Sequence, residues 1–400
     1  MTDGLRRNLA IYPWYAGVFH AYFWLPIYFL FFSSELPLTD VLKLESMYFV
    51  AVVAMEVPSG WVSDVFGRKR TLVIASCLLA AAYVTFLLAT SFGEFVAAQI
   101  LLAAGIAFNS GTDTSLLLET TQALGREEEY FACEARATKF NFLGSAVAGV
   151  LGGLAAIPDF RGAYVLSLAG ACVMIGMTLR FVEPLQEKSS LRHGLISQLI
   201  GCLSLLRGTR LLWLFAFAVF MTVLNHIPYE FYQPYVETLA AKFGALRATP
   251  VLTSVHLAIT MLIAAWFASM SVSLRRRIGT GGVLLSACGL QVAIMAAMHF
   301  FLSIPAAMFM LLRSCPRALM TAPLNASVAP AIPSKQRATY LSIQSFAGRL
   351  AFAGTLAWFA TLAGGDDWSS IVNMLGYGMW IGLGGLAVLT LTARAVSPAR

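Results

Sequence analysis

The stretch that decides the fold reads EVPSGWVSDVFGRKR and covers residues 56–70. Pro58 weakens a helix near its end, while Asp64 and Gly67 are residue types that favour a sharp turn. The basic tripeptide that begins at Arg68 cannot easily cross a lipid bilayer. We therefore expect one membrane-spanning helix to end within this stretch and another to begin.

The composition of the rest of the chain also indicates a membrane protein. Hydrophobic residues make up 58% of the 400 residues and charged residues 12%, which is about half the charged share of a soluble domain. At roughly 20 apolar residues per span, the chain has room for about twelve transmembrane helices and no additional soluble domain. The predicted class is an all-α membrane protein whose surroundings are a lipid bilayer.

Twelve apolar runs can be assigned along the chain. We place them at about 8–32, 41–63, 71–90, 95–118, 136–157, 163–182, 211–232, 250–271, 281–301, 305–326, 337–362 and 369–392. Between the sixth and seventh runs, residues 183–210 carry charges around an amphipathic middle. This segment is predicted to be a central cytoplasmic linker between two six-helix bundles, 1–182 and 211–400.

The distribution of basic residues predicts the orientation of the chain. The net charge of +7 comes from short Lys and Arg clusters between apolar runs rather than from one continuous face, which argues against nucleic-acid binding. The clusters fall mostly in alternate loops, so both termini are expected in the cytoplasm. Short loops favour a bacterial inner membrane as the site of this multi-pass protein, and we expect a monomer.

A second basic turn, residues 275–277, lies where a duplicated copy of the opening stretch would fall. Placing Gly279 over Gly67 requires an offset of 212 residues and pairs Asp64 with Arg276. The two halves are therefore predicted to be repeats, of which the second has lost its acidic residue.

Neither a cofactor nor an enzyme active site is indicated. The six cysteines are scattered without a C-x-x-C pair, which favours neither a disulfide framework nor a metal site. The chain contains no phosphate-binding glycine loop, H-E-x-x-H or G-x-S-x-G motif, and its five histidines are dispersed. We expect no catalytic residues, no metal and no cofactor.

The glycines, acid and bases of the opening stretch follow the spacing G-x3-D-x2-G-R-K, formed by Gly60, Asp64, Gly67, Arg68 and Lys69. This pattern resembles the loop between the second and third helices of the major facilitator superfamily. The plan of six plus six helices is similar to that family over the whole chain. The resemblance implies two bundles that rock about a central site, with these five residues in a gate. It further implies that Asp64 and Arg68 brace the outward-open state.

Two family signatures in the first half are altered. Leu101 stands before Gly105 where the family's proton-linked pattern has an arginine in helix 4. Residues 144–153 of helix 5 look like a degraded antiporter signature, which favours export. The alternative is that their small side chains only let helix 5 pack closely on a neighbour in the other half.

Two acidic residues within the predicted spans are candidates for proton coupling, because an ionisable group in the membrane needs a partner or a wet cavity. Glu56 on helix 2 either carries protons or braces the turn that follows it. Asp113 on helix 4 either has a proton or substrate role or forms a structural salt link with Arg136 or Lys139. Asn109, one turn before it, is a candidate for substrate binding.

Helix 1 adds a third candidate for proton coupling, His20, among many aromatic residues. It either relays a proton near neutral pH or is hydrogen-bonded within aromatic packing. Tyr22 and Trp24 belong to the aromatic face that we expect to hold a solute.

The second half carries three basic residues within its spans. Arg313 and Arg317 are spaced i, i+4 on helix 10, and Arg349 lies on helix 11. They either bind an anionic group of the substrate or pair with Glu56 or Asp113 in a gate.

Helix 7 carries a polar stripe that is expected to face the cavity or its outer vestibule. The stripe and its flanks supply the further candidates Thr222, Asn225, His226, Tyr229 and Gln233.

Together these features predict a secondary active transporter of a small organic solute that is anionic or amphipathic, moved by alternating access with proton-coupled export. The alternatives are a passive facilitator, an uptake symporter, or a membrane scaffold or receptor that transports nothing. The expected partners are the substrate, protons and lipid.

Overall fold

The computed structural model describes residues 2–184, 208–328, 331–332, 334–365 and 367–393. Every regular element in those ranges is a helix, which confirms the predicted all-α class. Seven helical segments among the described residues are long and apolar enough to cross a membrane. Most of the predicted linker, residues 185–207, lies outside the described ranges, so the domain boundaries stay a prediction.

The chain separates into two compact units. The first comprises Met1–Ser189 together with Pro250–Val255. Its helices are α1 (Thr2–Phe19), α2 (Tyr28–Glu35), α3 (Leu38–Phe66), α4 (Arg68–Leu88), α5 (Phe92–Asn109), α6 (Thr112–Ala123), α7 (Tyr130–Ala155) and α8 (Arg161–Arg180).

The second unit comprises Ser190–Thr249 and His256–Arg400. Its helices are α9 (Thr209–Lys242), α10 (Thr249–Phe300), α11 (Ile304–Met310), α12 (Cys315–Val328), α13 (Ser334–Leu362) and α14 (Trp368–Thr392). The first residues of α10 therefore group with the first unit, and the remainder of that helix belongs to the second.

Three of the predicted continuous spans are interrupted. The run at 8–32 forms α1 and α2, separated by turns that include Pro26, which has no backbone N–H to continue a helix. The run at 95–118 forms α5 and α6, separated at Gly111, whose φ of 76° is open to glycine but strained for other residues. The run at 305–326 forms α11 and α12, separated by a turn at 311–314.

Other predicted boundaries move because hydropathy does not record backbone hydrogen bonding. The connection predicted after residue 232 begins only after Lys242, since α9 continues through Pro228 and Pro234. The basic residues at 68–70 open α4 instead of forming a loop. Glu119 and Glu134 likewise lie on helices α6 and α7, rather than in a connection between the runs predicted at 95–118 and 136–157.

Gly67 and Gly279 share an unusual backbone conformation. Gly67, between α3 and α4, has φ 95° and ψ 159°, and Gly279 has φ 74° and ψ 171° at a kink within α10. Positive φ at such positions is readily reached only by glycine. The two glycines that the 212-residue offset aligns therefore share one backbone conformation, and the internal repeat of the two halves stays a prediction.

An aromatic cluster holds α2 in place after the break that precedes it. Phe31 lies 4.7 Å from Tyr164 of α8 between ring centroids, and Phe32 stacks on Phe86 of α4 at 5.7 Å. Phe95 of α5 packs against both Phe31 and Phe32. All five rings are buried, so four helices of the first unit share one core.

Asn8 joins the two ends of the first unit's chain. Its Nδ2 atom donates to Val182 O at 2.7 Å, and its Oδ1 atom accepts the backbone N–H of Val182 at 2.9 Å. Nδ2 also donates to Thr120 Oγ1 of α6 at 3.2 Å. The buried amide therefore fastens the chain after α8 to α1 and α6.

The small residues of α7 explain how closely it approaches α1. A methyl group at Gly144 would overlap the carbonyl oxygen of Gly17, and one at Gly152 would overlap that of Phe23. Gly153 faces Pro250, in the short segment that groups with the first unit. Gly144 thus packs on α1 and Gly152 on the turn that follows α1, whereas Gly153 packs on the start of α10, a helix of the predicted second half.

Candidate functional site

The turn between α3 and α4 is organised around the guanidinium group of Arg68. Its Nη1 atom donates to Asp64 Oδ1 at 2.6 Å and to Ser63 Oγ at 2.7 Å, both near the end of α3. Its Nε atom donates to Glu119 Oε1 of α6 at 3.0 Å. The Asp64 side chain is 62% exposed and the Glu119 side chain 21% exposed. Glu119 is therefore the better shielded of the two acidic partners.

A second carboxylate caps the start of α4. Glu183 accepts the backbone N–H of Arg68 at 2.6 Å and that of Lys69 at 2.8 Å. Negative charge is stabilised at the N-terminus of a helix, where backbone N–H groups are unpaired. A Cβ atom at Gly67 would lie 2.7 Å from Glu183 Oε1, so this glycine is required both for its backbone conformation and for the cap.

Sequence reasoning found Asp64 and Arg68 but missed Glu119 and Glu183. Each of the two missed acids directly follows a predicted span, and that position is the signal that could have found them.

Gly60 has open space around its Cα, so a side chain there would meet no described neighbour within 4 Å. The structure gives Gly60 no packing role in the turn.

Glu56 lies half-buried on α3, about two turns before Asp64. Its backbone carbonyl accepts the hydroxyl of Ser59 at 3.0 Å. The acids that bind the Arg68 side chain are Asp64 and Glu119, and both readings of Glu56, proton carrier or brace of the turn, stay predictions.

Asp113 is held in the first turn of α6, directly after the break at Gly111. Its Oδ1 atom accepts the backbone N–H of Thr114 at 2.7 Å, and its Oδ2 atom accepts Asn109 Nδ2 at 3.3 Å. Asn109 in turn accepts a short hydrogen bond from the hydroxyl of Tyr15. The break thus brings the last residue of α5 and a tyrosine of α1 to the carboxylate.

The predicted salt link of Asp113 does not form. Arg136 and Lys139 are exposed on α7, and neither is ion-paired with Asp113 among the described residues. The Asp113 carboxylate instead interacts electrostatically with buried Tyr12 and with Glu134 of α7. The site in the first unit is therefore acidic and lined by tyrosine.

His20 lies where α1 ends. Its Nδ1 atom is 3.0 Å from Ala16 O. The ring packs edge-on against Phe19 at 5.0 Å. Trp24 is buried and donates to the hydroxyl of Tyr83 at 3.2 Å, which makes it part of the core, whereas Tyr22 is half-buried.

Arg313 does not line an open cavity. It is 2% exposed and lies in the turn between α11 and α12. Its Nη1 atom donates to His256 Nδ1 and to Thr260 Oγ1, each at 2.7 Å, and its guanidinium carbon lies 4.0 Å from the centre of the Tyr232 ring. The spacing i, i+4 would place Arg313 and Arg317 on one face of a continuous helix. The break between α11 and α12 instead turns Arg313 into the interior of the second unit.

Arg317, His226 and Arg349 form a separate basic group. Arg317 is exposed on α12 and forms no ion pair with a described residue. Both arginines interact electrostatically with His226, whose Nδ1 atom lies 2.6 Å from Thr222 O. The His226 ring packs 4.9 Å from Phe352 of α13. Arg317 of α12 and Arg349 of α13 thus both act on one histidine of α9, and the two arginines supply the positive charge of the group.

The predicted polar stripe of helix 7 is only partly accessible. Gln233 is fully buried and donates to the hydroxyl of Tyr232 at 3.2 Å. Asn225 is half-buried, with its Nδ2 atom 3.8 Å from the sulfur of Met320. Tyr229 is half-buried beside His226. The stripe therefore offers Asn225 and Tyr229 near the basic group, and Gln233 belongs to the core.

No group of metal-binding side chains occurs in the part of the chain that the structure describes.

Sequence comparison decides the family. Residues 15–356 match the family described as the Major Facilitator Superfamily. The chain belongs to this superfamily. Its members are membrane transporters of small molecules, so the protein is a multi-pass membrane transporter, and the predicted major facilitator fold is confirmed. No curated protein matches the sequence.

Solved structures of the superfamily share the fold of this transporter over nearly its whole length. The nucleoside transporter NupG is 13% identical, with a TM-score of 0.76, over 97% of this chain and 99% of that chain. The D-xylose-proton symporter is 14% identical, with a TM-score of 0.70, over 96% of each chain. A bacterial homolog of the human lysosomal transporter Spinster is 16% identical, with a TM-score of 0.68, over 99% of this chain and 98% of that chain.

Proposed function

We propose that the transporter carries a small organic anion by alternating access and that proton movement drives its export. The observation that supports this proposal most directly is the basic group of Arg317, Arg349 and His226. The structural neighbours are described as carriers of nucleosides, xylose and other solutes, so they do not point to one solute class. The solute class is therefore argued from the side chains of this chain.

The basic group has the chemistry that an organic anion requires. A guanidinium group can bind a carboxylate or phosphate through two parallel hydrogen bonds. The exposure of Arg317 leaves it accessible to a solute, and half-buried Tyr229 and Asn225 supply apolar and polar contacts nearby. Arg313, the other arginine predicted on helix 10, is excluded from this role by its burial.

Proton coupling is assigned to Asp113. It is the acid that the break in the fourth span places among tyrosines, away from any described ion pair. A carboxyl group without a basic partner can gain and lose a proton during the cycle at lower cost than one held in a salt bridge. Glu56 and His20 remain candidates of the same kind in the first unit.

The direction of transport rests on a narrower observation. Export is supported by the similarity of residues 144–153 to the antiporter signature. Close packing on α1 accounts for Gly144, and close packing on the turn after α1 accounts for Gly152, whichever way the solute moves. The alternative is uptake together with protons, as in the neighbour described as a D-xylose-proton symporter. The liposome assay described below distinguishes export from uptake.

The topology proposed for the transporter has both termini in the cytoplasm of a bacterial inner membrane and a single copy of the chain. The excess of Lys and Arg on one side of the predicted spans supports this orientation.

The test uses the purified transporter in liposomes that contain a pH-sensitive dye. Outward and inward gradients of dicarboxylates, sugar phosphates and neutral sugars are imposed in turn, and proton movement is recorded. We expect an anion, not a neutral sugar, to move protons. Arg317→Gln should lower that rate roughly tenfold or more, because a hydrogen bond to a charged group is lost. Arg317→Lys should retain part of it.

Arg210→Gln serves as the matched control, since Arg210 is exposed on the same helix as His226 but lies near its start. The proposal fails if Arg317→Gln transports an anion at the wild-type rate. Proton coupling fails separately if solute movement ignores a pH gradient and remains normal in Asp113→Asn and Glu56→Gln.

A further inference from the structure

Two buried hydroxyl groups connect the start of α6 to the turn between α3 and α4. The hydroxyl of Thr112, the residue before Asp113, donates to Ser63 Oγ at 3.1 Å. The same oxygen accepts Arg68 Nη1 at 2.7 Å. A hydroxyl oxygen has two lone pairs, and both are used here. Thr112 and Ser63 are buried, so water does not compete for these hydrogen bonds.

The break that precedes α6 is bridged by the side chain of Asp113. Gly111 separates α5 from α6 with φ 76°, and glycine can change this angle without strain from a side chain. Asn109, the last residue of α5, donates from Nδ2 to Asp113 Oδ2 at 3.3 Å. Asp113 Oδ1 accepts the N–H of Thr114 within α6 at 2.7 Å. The carboxylate therefore fixes the direction in which α6 leaves α5.

A proton on Asp113 would remove this bridge. Oδ2 forms the longer of the two hydrogen bonds, so a proton from water binds there at the lower cost. Asn109 Nδ2 can only donate, and a protonated Oδ2 also donates, so the attraction across the break is lost. The other end of α6 is held, because Glu119 accepts Arg68 Nε at 3.0 Å. The first turn of α6, which carries Thr112, is therefore the part that moves.

The groups that face Asp113 allow it to bind a proton. It interacts electrostatically with Glu134 of α7, and two carboxylates repel each other until one of them is protonated. In the described ranges no basic residue is ion-paired with Asp113. Its other titratable neighbours are tyrosines, a residue type that is neutral near pH 7: Tyr12, Tyr15, Tyr22 and Tyr130.

We propose that Thr112 is the positioning residue that passes proton binding at Asp113 on to the turn between α3 and α4. When the first turn of α6 moves, the Thr112 hydroxyl moves with it, and Ser63 loses one of its two donors. Arg68 is bound to the same serine, so the turn loses part of its support. The inference rests on the proton coupling proposed for Asp113 and holds whichever solute is carried.

The experiment measures amide hydrogen exchange of the full chain in lipid nanodiscs between roughly pH 5 and 8, with each rate divided by its intrinsic rate. Amides 114–115 report on the break, because they bond to Asp113 Oδ1 and to Gly111 O. Amides 67–69 report on the turn, because they bond to Ser63 O and to the Glu183 carboxylate.

In the wild type, both sets of amides should lose protection at low pH. Amides 114–115 should lose it by roughly tenfold or more, because a hydrogen bond to a charged group is weakened. Amides 67–69 should lose it by roughly twofold to tenfold, which corresponds to one neutral hydrogen bond. Amides in the centre of α8 should show no such change.

Four variants separate a coupling role of Thr112 from a merely structural one. Thr112→Val keeps the shape of the side chain and removes the donor, so the pH response should stay at 114–115 and disappear at 67–69. Ser63→Ala removes the acceptor and should give the same result, also where Thr112→Val does not fold. Asp113→Asn should abolish both responses. Thr121→Val is the matched control, since this buried hydroxyl of α6 bonds to Leu118 O of its own helix, and it should keep both responses.

The outcomes distinguish this inference from the function on which it rests. A wild-type response at 67–69 in Thr112→Val would overturn the role of Thr112 and leave Asp113 as the proton site. Protection at 114–115 that does not depend on pH in the wild type would overturn both the role of Thr112 and the proton coupling proposed for Asp113. A wild-type response at 114–115 in Asp113→Asn would overturn both as well.

Discussion

Gly144→Ala is the substitution that tests most directly how α7 approaches α1. The added Cβ would lie 2.8 Å from the carbonyl carbon of Gly17 and would overlap the oxygen bonded to it. An ordinary contact between an aliphatic carbon and a carbonyl oxygen is about 3.3–3.6 Å, and the two backbones must separate to restore it. Neither side can adjust by rotating a side chain, because both are backbone.

The expected cost can be estimated from two opposing effects. Alanine in place of glycine stabilises a helix interior by about 0.5–1 kcal/mol, because it restricts the unfolded chain. Overpacking in a close interface costs about 1–3 kcal/mol. We therefore expect Gly144→Ala to lower the free energy of unfolding, with the overlap outweighing the gain in helix propensity.

Gly149→Ala is the matched control on the same helix. A Cβ at Gly149 would meet no atom within 4 Å, so only the favourable helix propensity acts there. Thermal unfolding of the two purified variants in one detergent should give a lower Tm for Gly144→Ala, by about 1 °C per kcal/mol for a chain of 400 residues. Gly149→Ala should unfold at the wild-type Tm or above it. Equal Tm values for the two variants would show that the close approach of α7 to α1 is not present in solution.

Three further predictions concern polar side chains whose partners lie at the ends of helices or just beyond them. Glu119→Gln should lower the free energy of unfolding by about 1–3 kcal/mol, because Arg68 loses its shielded carboxylate. Asp64→Asn should lower it by only about 0–1 kcal/mol, because the Asp64 side chain is exposed. Chemical unfolding of both variants would contradict this if Asp64→Asn lowered the free energy of unfolding more than Glu119→Gln. Asn8→Ala should lower the free energy of unfolding by about 1–3 kcal/mol for each backbone group left unpaired. Thermal unfolding of Asn8→Ala, compared with that of the conservative variant Asn8→Gln, would detect this loss. Hydrogen bonds from two serines lower the pKa of Asp367. Its stabilisation of the start of α14 is therefore present above its ordinary pKa and lost as pH falls through the lower, folded-state pKa. Asp367→Asn should flatten the fall of Tm at acid pH, and an unchanged fall of Tm in this variant would refute the assignment.

The positions of the helices were largely predictable from the sequence, because hydropathy is a sum over neighbouring residues. The basic cluster at 68–70 and Gly67 correctly marked where α3 gives way to α4. The alignment of Gly279 with Gly67 was also predictable, since both positions need a backbone conformation that favours glycine.

The breaks within the first, fourth and tenth spans were not predictable from hydropathy, because each broken run remains apolar. Gly111 and Pro26 are local signals of a break, but both residue types also occur within continuous membrane helices. Pro228 and Pro234 show this, since α9 continues through them. Whether a helix is broken depends on whether neighbouring helices satisfy the freed backbone groups.

The sequence by itself determined that this chain spans a membrane, where its spans lie and which family it belongs to. It also supplied the candidate arginines of helix 10. Only the tertiary structure decided which of them is exposed: Arg317 is exposed and acts electrostatically on His226, whereas Arg313 is enclosed by His256, Thr260 and Tyr232. The physical reason is that burial and hydrogen bonding are set by partners on other helices, more than fifty positions away in the chain, and no local pattern records them.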